Sequence, residues 1–226
     1  MIRIVKLTLL GVVVNIKEIV RYSSDLIRYR RAANYLSIEW WLAIYYLFLN
    51  PYRICSHYFK KNGMDAQPYG ETPLATIEPI LASLQLSEQD HFIDLGCGRA
   101  KLLFWMSTRY SCRLTGIELN PTFNRISSKI ITRLQLPIEL IESNIFDEDL
   151  SSATVIYLYG SAFEDEVIEQ LAQRVGKLSK ETQIITISYP LNEYCEEPLF
   201  ETVQSFTTTF LWGKTTAYLQ KPLGIC

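Results

Sequence analysis

From Thr72 onward, short apolar runs alternate with helix-length stretches whose apolar residues recur every three or four positions. That order predicts a helix over Thr72–Leu86 with Pro73 in its first turn, a strand over His91–Gly96, and a helix over Ala100–Tyr110. A strand over Cys112–Leu119, a helix over Asn120–Gln135 and a strand over Ile138–Ile145 follow. Next come a strand over Thr154–Gly160, a helix over Glu164–Ser179 and a strand over Thr182–Pro190. The Thr-rich, aromatic stretch Phe200–Lys221 alternates without helix signals and predicts an antiparallel hairpin turning at Trp212-Gly213-Lys214. Strands alternating with helices define an α/β fold: a mostly parallel seven-stranded sheet covered by helices on both faces, closed by that hairpin.

The first 62 residues follow a different pattern. On a helix, Arg3, Lys6, Lys17, Arg21 and Arg28 fall within an arc of roughly 60°, and Ile2, Val5, Leu9, Val12, Ile16, Ile19, Val20 and Ile27 gather on another face. No small-residue cleavage site follows, so removal as a signal peptide is not expected. A second run, Tyr35–Asn50, is rich in Trp and Tyr and shorter than the roughly 20 apolar residues of a membrane span. Two readings stay open: helices packing on the body or a partner with Trp40 and Trp41 in the core, or peripheral membrane contact through the basic stripe and aromatics. Asn50-Pro51-Tyr52 and the stretch from Lys60 to Gly70 carry helix-ending residues, which sets the expected division into an extension (1–62) and a body (63–226).

Charge sharpens that division. Residues 1–62 carry ten Lys/Arg against three Asp/Glu, whereas residues 63–226 carry twelve against twenty-one, so a net charge of −2 hides halves of +7 and −9. An acidic body argues against nucleic acid and suits a basic partner. Five scattered cysteines without a C-x-x-C pair, and only two histidines, point to reduced thiols in a cytosol and to no metal centre.

Candidate chemistry centres on Ile93-Asp94-Leu95-Gly96-Cys97-Gly98. In a sheet of this kind ligands bind beyond the carboxyl ends of the strands, where the first strand's loop lies. Gly96 and Gly98 let that loop bend and a ligand approach the backbone, next to free N–H groups at a helix start. Glu118, 24 residues after Asp94 at the next strand's end, suits the two hydroxyls of a ribose. Asn144, ending the third strand, suits an adenine edge. A dinucleotide fingerprint needs a third glycine where Lys101 stands. Asp94 is instead placed for an ammonium group, which S-adenosylmethionine has, and a methyl donor follows.

With these residues in place, the body resembles class I S-adenosylmethionine-dependent methyltransferases, with a Rossmann-like sheet, over roughly residues 66–222. The stretch from Tyr69-Gly70-Glu71-Thr72 to Asp94-Leu95-Gly96-Cys97-Gly98 is more narrowly similar to the disruptor-of-telomeric-silencing type of lysine methyltransferase, as are Ala153–Leu171 and Trp212–Leu219. Smaller lysine methyltransferases acting on the ATP synthase c-subunit and the adenine nucleotide translocase are similar too. The resemblance implies that Tyr69, Gly70, Glu71 and Thr72 fold over the methionine end of the cofactor, that Asp94, Gly96 and Gly98 hold its amino acid part, Glu118 the ribose, and Asn144 with Ile145 or Phe146 the adenine. It implies that Tyr159 and Gly160 line the transfer site and that Tyr218 walls a lysine channel. Ala100 stands where a third glycine is usual, a change expected to leave the turn intact. Asn144 replaces a common Asp, and Leu158–Ser161 replaces an Asn-containing stretch of the histone enzymes.

The function these residues imply is protein-lysine methylation, with a protein bearing an accessible lysine as partner and no nucleic acid. A neutral amine is required, and an apolar channel with Tyr159, Tyr189 and Tyr218 as candidate walls favours it. A small-molecule N- or O-methyltransferase, and an inactive membrane-associated module of the same fold, are the alternatives.

Overall fold

The β-branched and aromatic runs become strands, and those at His91–Leu95, Val155–Leu158 and Gln183–Ile187 are buried on both faces. In the computed structural model, which describes residues 17, 19–63, 69–160, 163–210 and 213–224, five of them run parallel: β1 (His91–Leu95), β2 (Arg113–Glu118), β3 (Ile138–Glu142), β4 (Val155–Leu158) and β5 (Gln183–Ile187). β6 (Phe200–Phe210) and β7 (Gly213–Pro222) form the antiparallel hairpin. The sheet order is β3-β2-β1-β4-β5-β7-β6, with β7 inserted between β5 and β6. Winding reverses between β1 and β4, so the loop after β1 opens at the switch point. The hairpin's turn includes Leu211 and Trp212, which lie outside the described residues.

Alternation along the strands splits the core in two. Phe92, Tyr157, Ile185, Ile187, Ala217 and Leu219 face one layer, packed by α4 (Leu74–Ser83), α5 (Lys101–Met106) and α6 (Pro121–Leu134). Ile93, Leu95, Ile156, Leu158 and Ile184 face the other, packed by α7 (Asp165–Val175) and the 3-10 turn Leu191–Tyr194. α5 is shorter than its apolar pattern predicts, because the Ser107 and Thr108 hydroxyls donate back to the carbonyls of Phe104 and Trp105 at 2.8 and 2.7 Å and the chain turns there.

The extension holds three helices: α1 over 19–29, α2 (Tyr35–Tyr46) and α3 (Pro51–Lys61). Inner faces of α1 and α2 join the first core layer through Tyr29, Tyr35, Ile38 and Leu42. Tyr29 meets Trp105 edge-on at 5.6 Å and donates to Glu78, and Arg133 of α6 sits 4.0 Å over the Trp41 ring. Packing on the body, one of the two readings left open, is thus realised by these faces. Trp40 does not belong to the core: it is 64% exposed, on an outer stripe with Leu36 and Ile44. Residues 1–16, which carry most of the expected amphipathic pattern, lie outside the described residues. Asn50 and Pro51 do not simply end a helix, as expected. Asn50 Oδ1 accepts from the Tyr52 and Arg53 N–H groups and Pro51 takes the first position, so the same residues start α3. Among the described residues no helix is long and apolar enough to cross a membrane.

Ala100, at the usual third-glycine position, has φ 57° and caps α5 in the left-handed region, while its side chain is fully buried. The turn is intact, at a backbone cost of about 1 kcal/mol that burial of one methyl, about 0.8 kcal/mol, nearly offsets. Ala100→Gly is therefore expected to change unfolding free energy by less than about 0.5 kcal/mol in a denaturant titration.

Candidate active site

β1 delivers the buried Asp94 directly beside Gly116 of β2 and Tyr157 of β4. The chain then turns at Gly96 and Gly98, with φ 77° and 56°. Gly98 N–H donates to Glu118 Oε2 at 2.8 Å, and Asn120 N–H donates to Glu118 Oε1 at 2.7 Å. Glu118 is thus fixed beside the turn. Burial, and then the neighbouring Glu118, push the Asp94 carboxyl up to about 8. Glu118 is also raised by burial, against the pull of its N–H donors.

The Tyr69–Thr72 loop lies over this turn. Tyr69 packs so closely on Gly98 that a Cβ there would stand 2.9 Å from its ring, and Phe123 and Tyr52 flank that ring at 5.2 and 5.6 Å. Its hydroxyl donates to Glu71 Oε1 at 2.5 Å. Arg99, the residue after Gly98, grips Glu71 with two parallel hydrogen bonds, one from Nη2 at 2.8 Å. Burial pushes the Glu71 carboxyl up, but the charge and hydrogen bonds of Arg99, with Lys101 and Tyr69, outweigh it and hold the group down at about 2. The Tyr46 ring of α2 covers the guanidinium at 5.3 Å. The Thr72 and Tyr157 hydroxyls are hydrogen-bonded to each other.

Beyond β4, Tyr159 stacks on Phe210 at 5.6 Å, and Gly160 is so enclosed that a Cβ would stand 2.5 Å from the Tyr189 hydroxyl and 3.0 Å from Phe163. Phe163 also approaches Gly96, so the glycine turn and the end of β4 share one wall. Gly160→Ala is expected to slow methyl transfer about tenfold or more, with cofactor affinity within about threefold, and Tyr189→Phe in the same chain to restore part of the rate. Labelled-methyl incorporation and calorimetry check both.

Tyr69, Glu71, Thr72, Asp94, Gly96, Gly98, Glu118, Tyr159 and Gly160 are brought together. Tyr218 pairs with Thr186 on the sheet face opposite Tyr159, because Tyr157 and Tyr159 share the Ala217 and Leu219 side. Asn144 is exposed, and its Oδ1 accepts from Phe146 N–H at 3.1 Å as a turn residue, while Ile145 is half-buried against the second core layer. Sequence reasoning did not find Arg99, Tyr157, Phe163 or Arg174. Arg174 of α7 donates to the carbonyls of Ile145, Phe146 and Glu148 and so pins the loop that carries Asn144. For Arg99 a signal existed, since the buried acid in Tyr69–Thr72 requires a cation nearby.

A sheet wound about such a glycine turn, with carboxylates at two adjacent strand ends, defines a class I S-adenosylmethionine-dependent methyltransferase. Residues 57–197, more than half the chain, match the family "Histone methylation protein DOT1", and the chain belongs to that family. A histone H3 lysine-79 specific N-methyltransferase of Dictyostelium discoideum is 22% identical over 174 residues, which cover 68% of this chain and 9% of that one. A protein-lysine N-methyltransferase of Saccharolobus islandicus is 21% identical over 127 residues, covering 55% of this chain and 78% of that one. The chain therefore spans a small fraction of the first relative and most of the second. An RNA methyltransferase of Salinibacter ruber, solved with S-adenosylhomocysteine, shares the fold with a TM-score of 0.56 at 22% identity over 70% of this chain and 97% of that one. The PH0226 protein of Pyrococcus horikoshii shares it with a TM-score of 0.57 at 12% identity over 79% and 98%.

S-adenosylmethionine is the cofactor, and the residues present fit it. Asp94 is buried beside a like charge, and no hydrogen-bond donor among the described residues reaches its carboxylate, which suits the ammonium of the methionine part. Glu118, held by two N–H groups, keeps lone pairs that would suit ribose hydroxyls.

Proposed function

We propose that this chain is a protein-lysine N-methyltransferase. One observation carries the reading: the end of β4 beside the glycine turn is walled by Tyr159, Phe210, Phe163 and Tyr189, with Thr72 and Tyr157 satisfying each other. S-adenosylmethionine, when bound, supplies a methyl group on a cationic sulfur, whose bonding pair stays with the sulfur as the methyl passes to a nucleophile. The chain's own task is to position and desolvate. An amine entering this apolar wall loses the hydration that stabilises its ammonium form, so its pKa falls and its lone pair becomes available. Burial raises the Tyr157 and Tyr189 hydroxyls above the ordinary tyrosine range, so both stay protonated and serve as hydrogen-bonding wall, never as bases. After transfer the product ammonium gives its extra proton to solvent.

The two protein-lysine methyltransferases among the relatives support this reading. Incubation with methyl-labelled cofactor and cell lysate tests it. Label is expected in a protein band, on lysine after acid hydrolysis. Label confined to RNA or to small molecules would overturn it.

A further inference from the structure

The inner faces of α1 and α2 are buried in the first core layer, while their outer faces carry large apolar side chains exposed to solvent. We propose that this outer face docks the chain on an anionic lipid surface, with α2 lying along that surface. The assignment is independent of which nucleophile is methylated.

The apolar pattern comes first. Leu36, Trp40, Ile44 and Leu47 follow one another at steps of four, four and three residues, which places them on one stripe of α2 and its cap, and all four are exposed. Phe48, just past the stripe, is 91% exposed, with Leu49 and Tyr52 exposed after it. Ten of the twelve exposed large apolar side chains among the described residues lie between Ile19 and Tyr52. One such side chain is ordinary, but a concentration of this extent marks an interaction surface. Charge then selects the partner. Among the described residues up to Gly63 every exposed charged side chain is basic, because the two acids, Asp25 and Glu39, are buried. Arg30 and Arg31 lead into α2 and Arg53 follows Phe48 and Leu49, so cations bracket the stripe along the chain. A second copy brought face to face would set these cations against themselves, whereas anionic headgroups neutralise them while the acyl boundary takes up the apolar side chains. Trp40 and Tyr52 suit that boundary, each an apolar ring with one polar group. Tyr35, Ile38 and Leu42 tie α2 to the body. Its 12 residues span about 18 Å, short of the roughly 30 Å of a hydrocarbon core, so the helix lies in the interface, about 5–10 Å deep.

Flotation of the full chain tests this with phosphatidylcholine vesicles and with vesicles in which a third of the lipid is phosphatidylglycerol. At low salt the anionic vesicles are expected to bind about tenfold or more tighter than the neutral ones, and the gap to shrink as salt is added. Trp40→Asp with Phe48→Asp is expected to weaken binding to anionic vesicles about tenfold or more. Arg30→Gln, Arg31→Gln and Arg53→Gln together are expected to remove the preference for anionic lipid. These side chains are exposed, and unchanged S-adenosylhomocysteine affinity in both variants reports an intact fold. Lipids brominated on their acyl chains are expected to quench tryptophan emission in the wild type, and to quench it less in Trp40→Phe. No flotation with either vesicle, flotation that survives Trp40→Asp with Phe48→Asp, or equal quenching with and without Trp40 overturns the assignment. Sedimentation velocity reads the rival occupant: a dimer that the two aspartates split into monomers gives the face to a second copy and overturns lipid docking.

Discussion

Asp94→Asn is expected to abolish S-adenosylmethionine binding and, at the same time, to make the fold more stable. Burial and Glu118 push the Asp94 carboxyl from its ordinary value near 3.8 up to about 8 in the folded chain. The folded state then holds a proton that the unfolded chain releases, so stability is full below pH 3.8 and falls as pH rises toward about 8. Each pH unit in that window costs about 1.4 kcal/mol, an upper limit of about 4 kcal/mol at pH 7. Water entering from the pocket reduces this, and asparagine, which never ionises, is expected to gain about 1–2 kcal/mol at pH 8 and nothing near pH 4. Thermal melts at the two pH values read the difference. The cofactor's ammonium reverses the preference of the wild-type carboxyl, so binding below pH 8 should release a proton and strengthen as pH rises toward 8. Calorimetry in buffers of different ionisation enthalpy measures that proton. The substituted amide would offer a dipole where a charge is needed, and unchanged affinity in Asp94→Asn would remove the assigned role.

Glu71→Gln is the second large effect, and its sign is the opposite. It leaves the Arg99 guanidinium, whose side chain is 20% exposed, without its countercharge. Breaking a buried pair by removing one partner costs about 3–5 kcal/mol, and partial exposure here brings the expectation to about 2–3 kcal/mol. Because the Glu71 carboxyl lies at about 2, the pair's contribution is full above pH 4.5 and lost between 4.5 and 2, so wild type should weaken across that window while the Gln variant stays flat. Cofactor affinity should fall about tenfold or more, since Tyr69 and Thr72 lose their anchor. Replacing Arg99 by Met as well should recover much of the stability and none of the affinity.

The strands and the glycine turn were legible because their signals are local. Short, bounded apolar runs mark β1, β2, β4 and β5, and the 24-residue step from Asp94 to Glu118 is simply a helix and a strand in length. α3 was not legible, because Asn and Pro mark a helix start as readily as a stop, and only the hydrogen bonds to Asn50 decide which. Tyr218 is instructive in another way. Its strand was identified, but which side of the sheet it faces depends on register with Thr186, which a single sequence does not carry. Arg99, Tyr157 and Arg174 act through partners 26 or more residues away, so their roles appear only once the chain has folded.

The contact between Tyr29 and Trp105 also bears on how the chain is made. Translation yields about 5–20 residues per second, so α1 and α2 leave the ribosome several seconds before the partners of their inner faces exist. Their greasy side must be shielded meanwhile, and a nascent chain stalled before α5 is where chaperones should be found bound.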